Sequence, residues 1–141
     1  MLPESTKSWL SEFDYPEYTE TVRSNEKETK AHLSEVGVDL ESDLAEFYLK
    51  FGALSGSGWY ELLEPRELKE MSDYLHSEFE IPKRYMPLTG YEGGGFSLLD
   101  RDSGFVYDLV FDQIDDLAAG TLGPVAKSFG EYLEWRKDQH N

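Results

Sequence analysis

The sequence predicts an α+β fold: a single domain with a central mixed or antiparallel sheet flanked by helices. Three observations carry that prediction. Apolar residues recur with helical period before about residue 51 and after about residue 124. Between about residues 58 and 111 the pattern becomes short apolar runs bounded by Gly, Pro and Asp, around one further helix. Strands and helices do not alternate as βαβ units, which argues against a parallel, doubly wound sheet.

The elements follow in order. Trp9, Leu10 and Phe13 suit a short helix near Lys7 to Phe13, and Pro16 then breaks it into an irregular aromatic arm with Tyr15, Tyr18 and Val22. A helix over 25–36 has Asn25 as its cap, Glu28 three residues on as in a capping box, and Gly37 as its stop. The clearest helix spans 42–51. Leu44, Phe47, Tyr48 and Phe51 fall at i, i+3, i+4 and i+7, so all four share one face. Residues 58–63 read as a strand, and Pro65 opens a helix over 65–77 carrying Leu68, Met71 and Leu75. Strands are expected over 84–89, 95–100 and 104–111, the last two joined as a hairpin through Arg101-Asp102-Ser103-Gly104. A helix over 124–137 closes the fold, with Val125, Phe129, Tyr132 and Leu133 on its inner face. Residues 1–23 are expected as a helix and aromatic arm packed on the main unit, residues 24–141. The expected core is Leu44, Phe47, Tyr48, Phe51, Leu98, Phe129 and Leu133.

Length and composition narrow the function. A chain of 141 residues can bury one real core, and 3 Trp, 9 Tyr and 8 Phe supply large apolar areas for it. With no cysteine, disulfide scaffolds and thiolate metal sites are excluded. Residues 1–20 lack the apolar core of a signal peptide, and no apolar run has the length of a membrane span, so a cytoplasmic protein is expected. The 29 acidic and 13 basic residues give a net charge of −16, which argues against binding to nucleic acid or to an anionic membrane. Two readings of the charge stay open: solubility, which composition alone favours, and an acidic face matched to a basic partner.

Catalytic constellations are sparse. His32, His76 and His140 have no metal-binding or catalytic spacing. Gly93-Gly94-Gly95 lacks the Lys-Ser/Thr ending of a phosphate loop and has Glu92 beside it, so it reads as a turn. The stretch from Asp100 to Gly104 begins like a calcium loop, but Phe105 and Phe111 stand where its glycine and closing glutamate belong. Asp115-Asp116 lie on one segment, whereas acid/base pairs come from facing elements. No catalytic residue, metal or cofactor is expected.

The order of several segments resembles the SUKH superfamily, which includes a yeast cell-wall-assembly regulator and many bacterial toxin-immunity proteins. Gly37-Val38-Asp39-Leu40 is similar to its Gly-x-x-Leu-Pro approach to a helix, with Glu41 in place of the proline. Phe47 takes the Phe position of the helix that follows, and Phe51-Gly52 stands where Asn-Gly is common. The segments Trp59 to Leu63 and Pro65 to Leu68 come next. Met86-Pro87-Leu88, then Gly93-Gly94-Gly95-Phe96-Ser97-Leu98-Leu99-Asp100, resemble the family's central signature, and Ser128-Phe129-Gly130-Glu131-Tyr132-Leu133 its closing helix. The resemblance covers about residues 24–136. It implies a non-enzymatic module that binds a protein, most often a toxin of nuclease type. The alternative is a regulatory or scaffold domain without a toxin.

A basic toxin domain would be met by carboxylates at strand-end loops, with aromatic anchors nearby. The candidates are Glu92, Asp100, Asp102, Asp112, Asp115 and Asp116, with Trp59, Tyr60 and Tyr91 as anchors. The expected state is a monomer in preference to a homodimer.

Overall fold

A computed structural model of the chain describes residues 2–13, 25–51, 62–90 and 95–140. Among the described residues, six helices surround a three-stranded sheet. In chain order they are α1 (Glu4–Leu10, continued by a 3-10 turn Ser11–Phe13), α2 (Glu26–Glu35), α3 (Asp43–Phe51), α4 (Leu68–Glu78, preceded by a 3-10 turn Pro65–Glu67), β1 (Tyr85–Pro87), β2 (Gly95–Asp100) and β3 (Val106–Val110). A 3-10 turn Phe111–Gln113, α5 (Ile114–Ala119) and α6 (Phe129–His140) complete the order. The sheet runs β1-β2-β3 and is antiparallel throughout, with Met86 opposite Leu99 and Ser97 opposite Asp108. The α+β fold read from the sequence is the fold of this chain.

Helix ends follow local chemistry. At the end of α2, the Gly37 N–H donates to the Ser34 carbonyl and the Val38 N–H to the Leu33 carbonyl. Gly37 has φ 76°, so this is the two-bond Schellman stop that a residue with a β-carbon adopts only under strain. The helix start differs from expectation, since Asn25 makes no side-chain capping bond. For α3, Ser42 Oγ accepts from the Ala45 N–H at 3.2 Å. For the turn before α4, Glu67 Oε1 accepts from the Glu64 N–H at 3.0 Å, with Pro65 at the first position.

One expected bound needs correction, and one element was not expected. The last helix starts at Phe129, not near Pro124, because Val125 and Ala126 lie along the β3 edge: the Val106 N–H donates to the Ala126 carbonyl and the Val125 N–H to the Val106 carbonyl. Ser128 then caps α6, its Oγ accepting from the Glu131 N–H, while Glu131 Oε2 accepts from the Lys127 N–H. The short helix α5 falls where the sequence had suggested only a charged segment. Of the strand expected over 58–63, residues 58–61 lie outside the described residues. Leu62 bridges Thr89, and the Leu63 N–H donates to the Leu88 carbonyl.

The sheet is buried on both faces, as β2 shows by its uninterrupted burial from Phe96 to Asp100. Met86, Leu99 and Val106 pack with Leu33, Leu44, Phe47, Phe129 and Leu133 from α2, α3 and α6. Tyr85, Phe96, Leu98 and Leu109 pack with Leu75 of α4 and Leu117 of α5 on the opposite face. Every expected core residue is buried except Phe51, at the last position of α3, which is half-buried.

The N-terminal segment docks through polar contacts as well as through buried Leu2 and Leu10. Glu46 accepts from the Leu2 N–H at 2.9 Å and pairs with Lys7 at 3.0 Å, and Thr6 Oγ1 donates to Glu134 at 2.7 Å. Gly130 admits the close approach of this segment to α6, because a β-carbon there would meet Pro3 Cδ at 3.0 Å.

Burial also sets the alkaline limit of the fold. It pushes the Tyr48 hydroxyl, which donates to the Leu63 carbonyl, well above the usual tyrosine range. Burial likewise raises Tyr132, more than neighbouring Arg136 and Ser97 lower it. Both hydroxyls therefore stay protonated when folded, and their contribution is complete below the unfolded value of about 10 and declines as pH rises beyond it. Urea midpoints measured from pH 8 upward should stay level to about pH 10 and then fall. A midpoint that stays level to pH 12 would place these hydroxyls in solvent.

Candidate functional site

The expected partner-binding carboxylates divide between the two ends of the β2–β3 hairpin. Gly95 pairs with Val110, so the chain enters β2 at the end where it leaves β3, and the turn 101–105 lies at the other end. Asp100 and Asp102 belong to the turn, whereas Asp112, Asp115 and Asp116 follow β3. The five residues of β3, at about 3.3 Å each, separate the two sets. Strand-end loops can bring such groups together, and here the antiparallel register sets these two groups apart. Trp59, Tyr60, Tyr91 and Glu92 lie outside the described residues.

At the turn end, Asp100 is only 2% exposed. Its Oδ1 accepts from the Asp102 N–H at 2.9 Å, its carbonyl from the Gly104 N–H at 2.8 Å, and its Oδ2 faces Arg84 at 3.4 Å. Asp100 thus holds the turn together, and Asp102 is the exposed carboxylate there. Arg101 binds this end to the rest of the fold by donating to the carbonyls of Val36, Lys83 and Arg84.

The opposite end carries a groove of about 520 Å³ between the end of α4 and the 111–115 segment. Phe79, Phe111 and Ile114 provide apolar lining, and Glu78, Glu80, Asp112 and Asp115 provide carboxylates. The two rings are in contact, with centroids 5.1 Å apart. Phe111 also packs on buried Phe96 at 5.4 Å, which anchors it to the sheet. Tyr74, one turn back on α4, meets Phe79 edge-on at 5.8 Å and is 41% exposed. The α4 end is fixed by His76, whose Nδ1 donates to the Ile81 carbonyl at 2.8 Å. Glu80 follows with φ 54°, a left-handed conformation uncommon for a residue with a side chain. On the other wall, the Gln113 side chain accepts from the Val110 N–H and sets the 3-10 turn that presents Asp112.

Asp112 and Asp115 were legible as candidates. Glu78, Phe79, Glu80 and Phe111 were not. The available signal was the acid–aromatic–acid run Glu78-Phe79-Glu80 at the end of a helix, with Phe111-Asp112 repeating the pairing directly after a strand.

These carboxylates line the groove. Among the described residues, no group of three or more His, Cys, Asp or Glu side chains could hold a metal ion. No helix among them is long and apolar enough to cross a membrane. The surroundings suit an organic cation or a basic side chain, which can lie against aromatic rings while facing several carboxylates.

A family model described as SMI1 / KNR4 family (SUKH-1) matches residues 23–135, four-fifths of the chain. The chain belongs to the SMI1/KNR4 family (SUKH-1). The match takes in α2 through most of α6 and so includes the groove, the hairpin and both halves of the core. No curated protein and no solved structure matches the chain. Membership in SUKH-1 fits toxin immunity and regulatory roles alike, and such domains are generally non-catalytic.

Proposed function

We propose that this SUKH-1 domain is a non-enzymatic binding module that neutralises a basic toxin, of nuclease type, by covering its surface. The observation that carries the proposal is the SUKH-1 match over residues 23–135 on a chain of net charge −16. A nuclease concentrates positive charge where its anionic substrate lies, and an acidic protein is drawn to the same surface. Exposed Asp102, Asp112, Asp115 and Asp116 add to that field from both ends of the hairpin. Charge of this kind acts mainly on the rate of encounter, and well-packed anchors act mainly on dissociation.

The test uses the product of the reading frame immediately upstream of the gene for this chain. Co-expression should relieve growth arrest caused by that product, and the purified pair should form a stoichiometric complex. Association should slow by about tenfold or more between 10 mM and 150 mM salt, as screening shortens the field from roughly 30 Å to roughly 8 Å. Asp115→Asn with Asp116→Asn should slow association more than it speeds dissociation. Complex formation without protection would favour the regulatory role, and a salt-independent on-rate would assign the acidity to solubility.

A further inference from the structure

We infer that the groove between α4 and α5 receives an arginine-bearing segment of the basic partner, with the guanidinium lying against Phe79 and Phe111 among the carboxylates that line it. The inference rests on the protein-binding reading above and adds where the contact is made and which side chain makes it.

Four features of the groove converge on that occupant. It is an open, mostly polar depression of about 520 Å³ at the surface, with room for a protruding side chain. Glu78, Glu80, Asp112 and Asp115 line it and no basic residue does, so charge complementarity selects a cation. Among the described residues these carboxylates form no metal-binding group, and spread along the groove they can face separate donors of an organic cation. Its lining includes two rings in mutual contact, Phe79 and Phe111. A guanidinium is planar and weakly hydrated, stacks on aromatic faces and presents a fork of N–H donors to carboxylates. An ammonium is compact and strongly hydrated and gains less from such a floor.

The surrounding surface supports contact with a protein rather than with a free small cation. Among the described residues, three large hydrophobic side chains are exposed. One of them, Tyr74, borders this groove by packing on Phe79. An exposed aromatic ring beside a charged pocket is the arrangement of an interface anchor, where a desolvated centre is ringed by further contacts. The 11-residue helix α4 also ends at the groove, and its terminal carbonyls add partial negative charge on that side.

The experiment titrates the intact chain with hexa-arginine and, separately, hexa-lysine, following aromatic NMR signals and affinity by calorimetry. Hexa-arginine should shift the ring signals of Phe79 and Phe111 and bind at least about fivefold more tightly than hexa-lysine. Glu80→Gln with Asp112→Asn should weaken hexa-arginine by about tenfold, while Glu28→Gln with Glu35→Gln, an equal charge change on exposed α2 positions, should weaken it less than about threefold. Equal losses in the two pairs, equal affinity for the two peptides, or unmoved Phe79 and Phe111 signals would overturn the inference. If the upstream gene product binds and the groove pair leaves that affinity unchanged, the groove assignment falls and the binding-module reading stands. If the groove takes hexa-arginine selectively while the upstream product does not bind, the reverse holds.

Discussion

Phe47→Ala is expected to lower the free energy of unfolding by about 3–5 kcal/mol. Phe47 is fully buried and lies where α3 meets α6. Its ring centroid is 5.1 Å from Phe129, 5.5 Å from Tyr48 and 6.2 Å from Phe51. Truncation removes the transfer energy of the ring and leaves a cavity between helices that cannot close on it easily. Both helices are held elsewhere: α3 by the Ser42 cap and by Glu46, which binds the N-terminal segment, and α6 by Asp43, whose Oδ2 accepts from the Gly130 N–H at 2.9 Å. Denaturant unfolding followed by far-ultraviolet circular dichroism gives the number directly. A loss below about 1 kcal/mol would mean that the α3 face is misassigned. Phe51→Ala, at the half-buried end of the same stripe, should cost distinctly less.

That contrast marks how far the sequence could be read. The stripe Leu44, Phe47, Tyr48 identified the helix and its buried face because period and burial agree over two turns. It did not reveal that Phe51 closes the helix at the rim of the core. The strands at 95–100 and 106–110 were legible because Gly104 and the Asp100 turn punctuate them. The start of α6 was missed although Ser128-x-x-Glu131 carries its signature, since apolar Val125 and Ala126 continue the helical pattern backward while tertiary pairing with β3 claims them. The acidic candidates show the corresponding limit for function. A list of loop carboxylates contains no register, so it could not say that Asp102 and Asp112 lie at opposite ends of a hairpin, or that Asp100 is internal. Nor could it bring Glu78 and Glu80 to Asp112, because that meeting depends on where α4 ends relative to β3.

The second large effect is expected at Tyr132, where one hydroxyl joins α6 to the sheet. The Tyr132 hydroxyl donates to Ser97 Oγ at 2.8 Å, Ser97 Oγ donates to Asp108 Oδ1 at 2.8 Å, and Arg136 Nη1 donates to the Tyr132 oxygen at 3.1 Å. A positive charge at one end and a negative charge at the other thus polarise two neutral hydroxyls in the same direction, through a buried stretch in which Tyr132 is fully covered and Ser97 is 1% exposed. Tyr132→Phe keeps the ring in contact with Phe129 and Trp135 but deletes the middle of the chain. Ser97 then loses a donor and the largely buried Arg136 loses an acceptor, so the cost should be about 1–3 kcal/mol. The core around the ring is unchanged, so the loss reports the polar connection alone. Ser97→Ala breaks the same connection from the sheet side. The double variant should therefore cost less than the sum of the two single variants, by about 0.5–3 kcal/mol in a double-mutant cycle. Additive losses would mean that the two hydroxyls act independently and that α6 is held to the sheet by apolar packing alone.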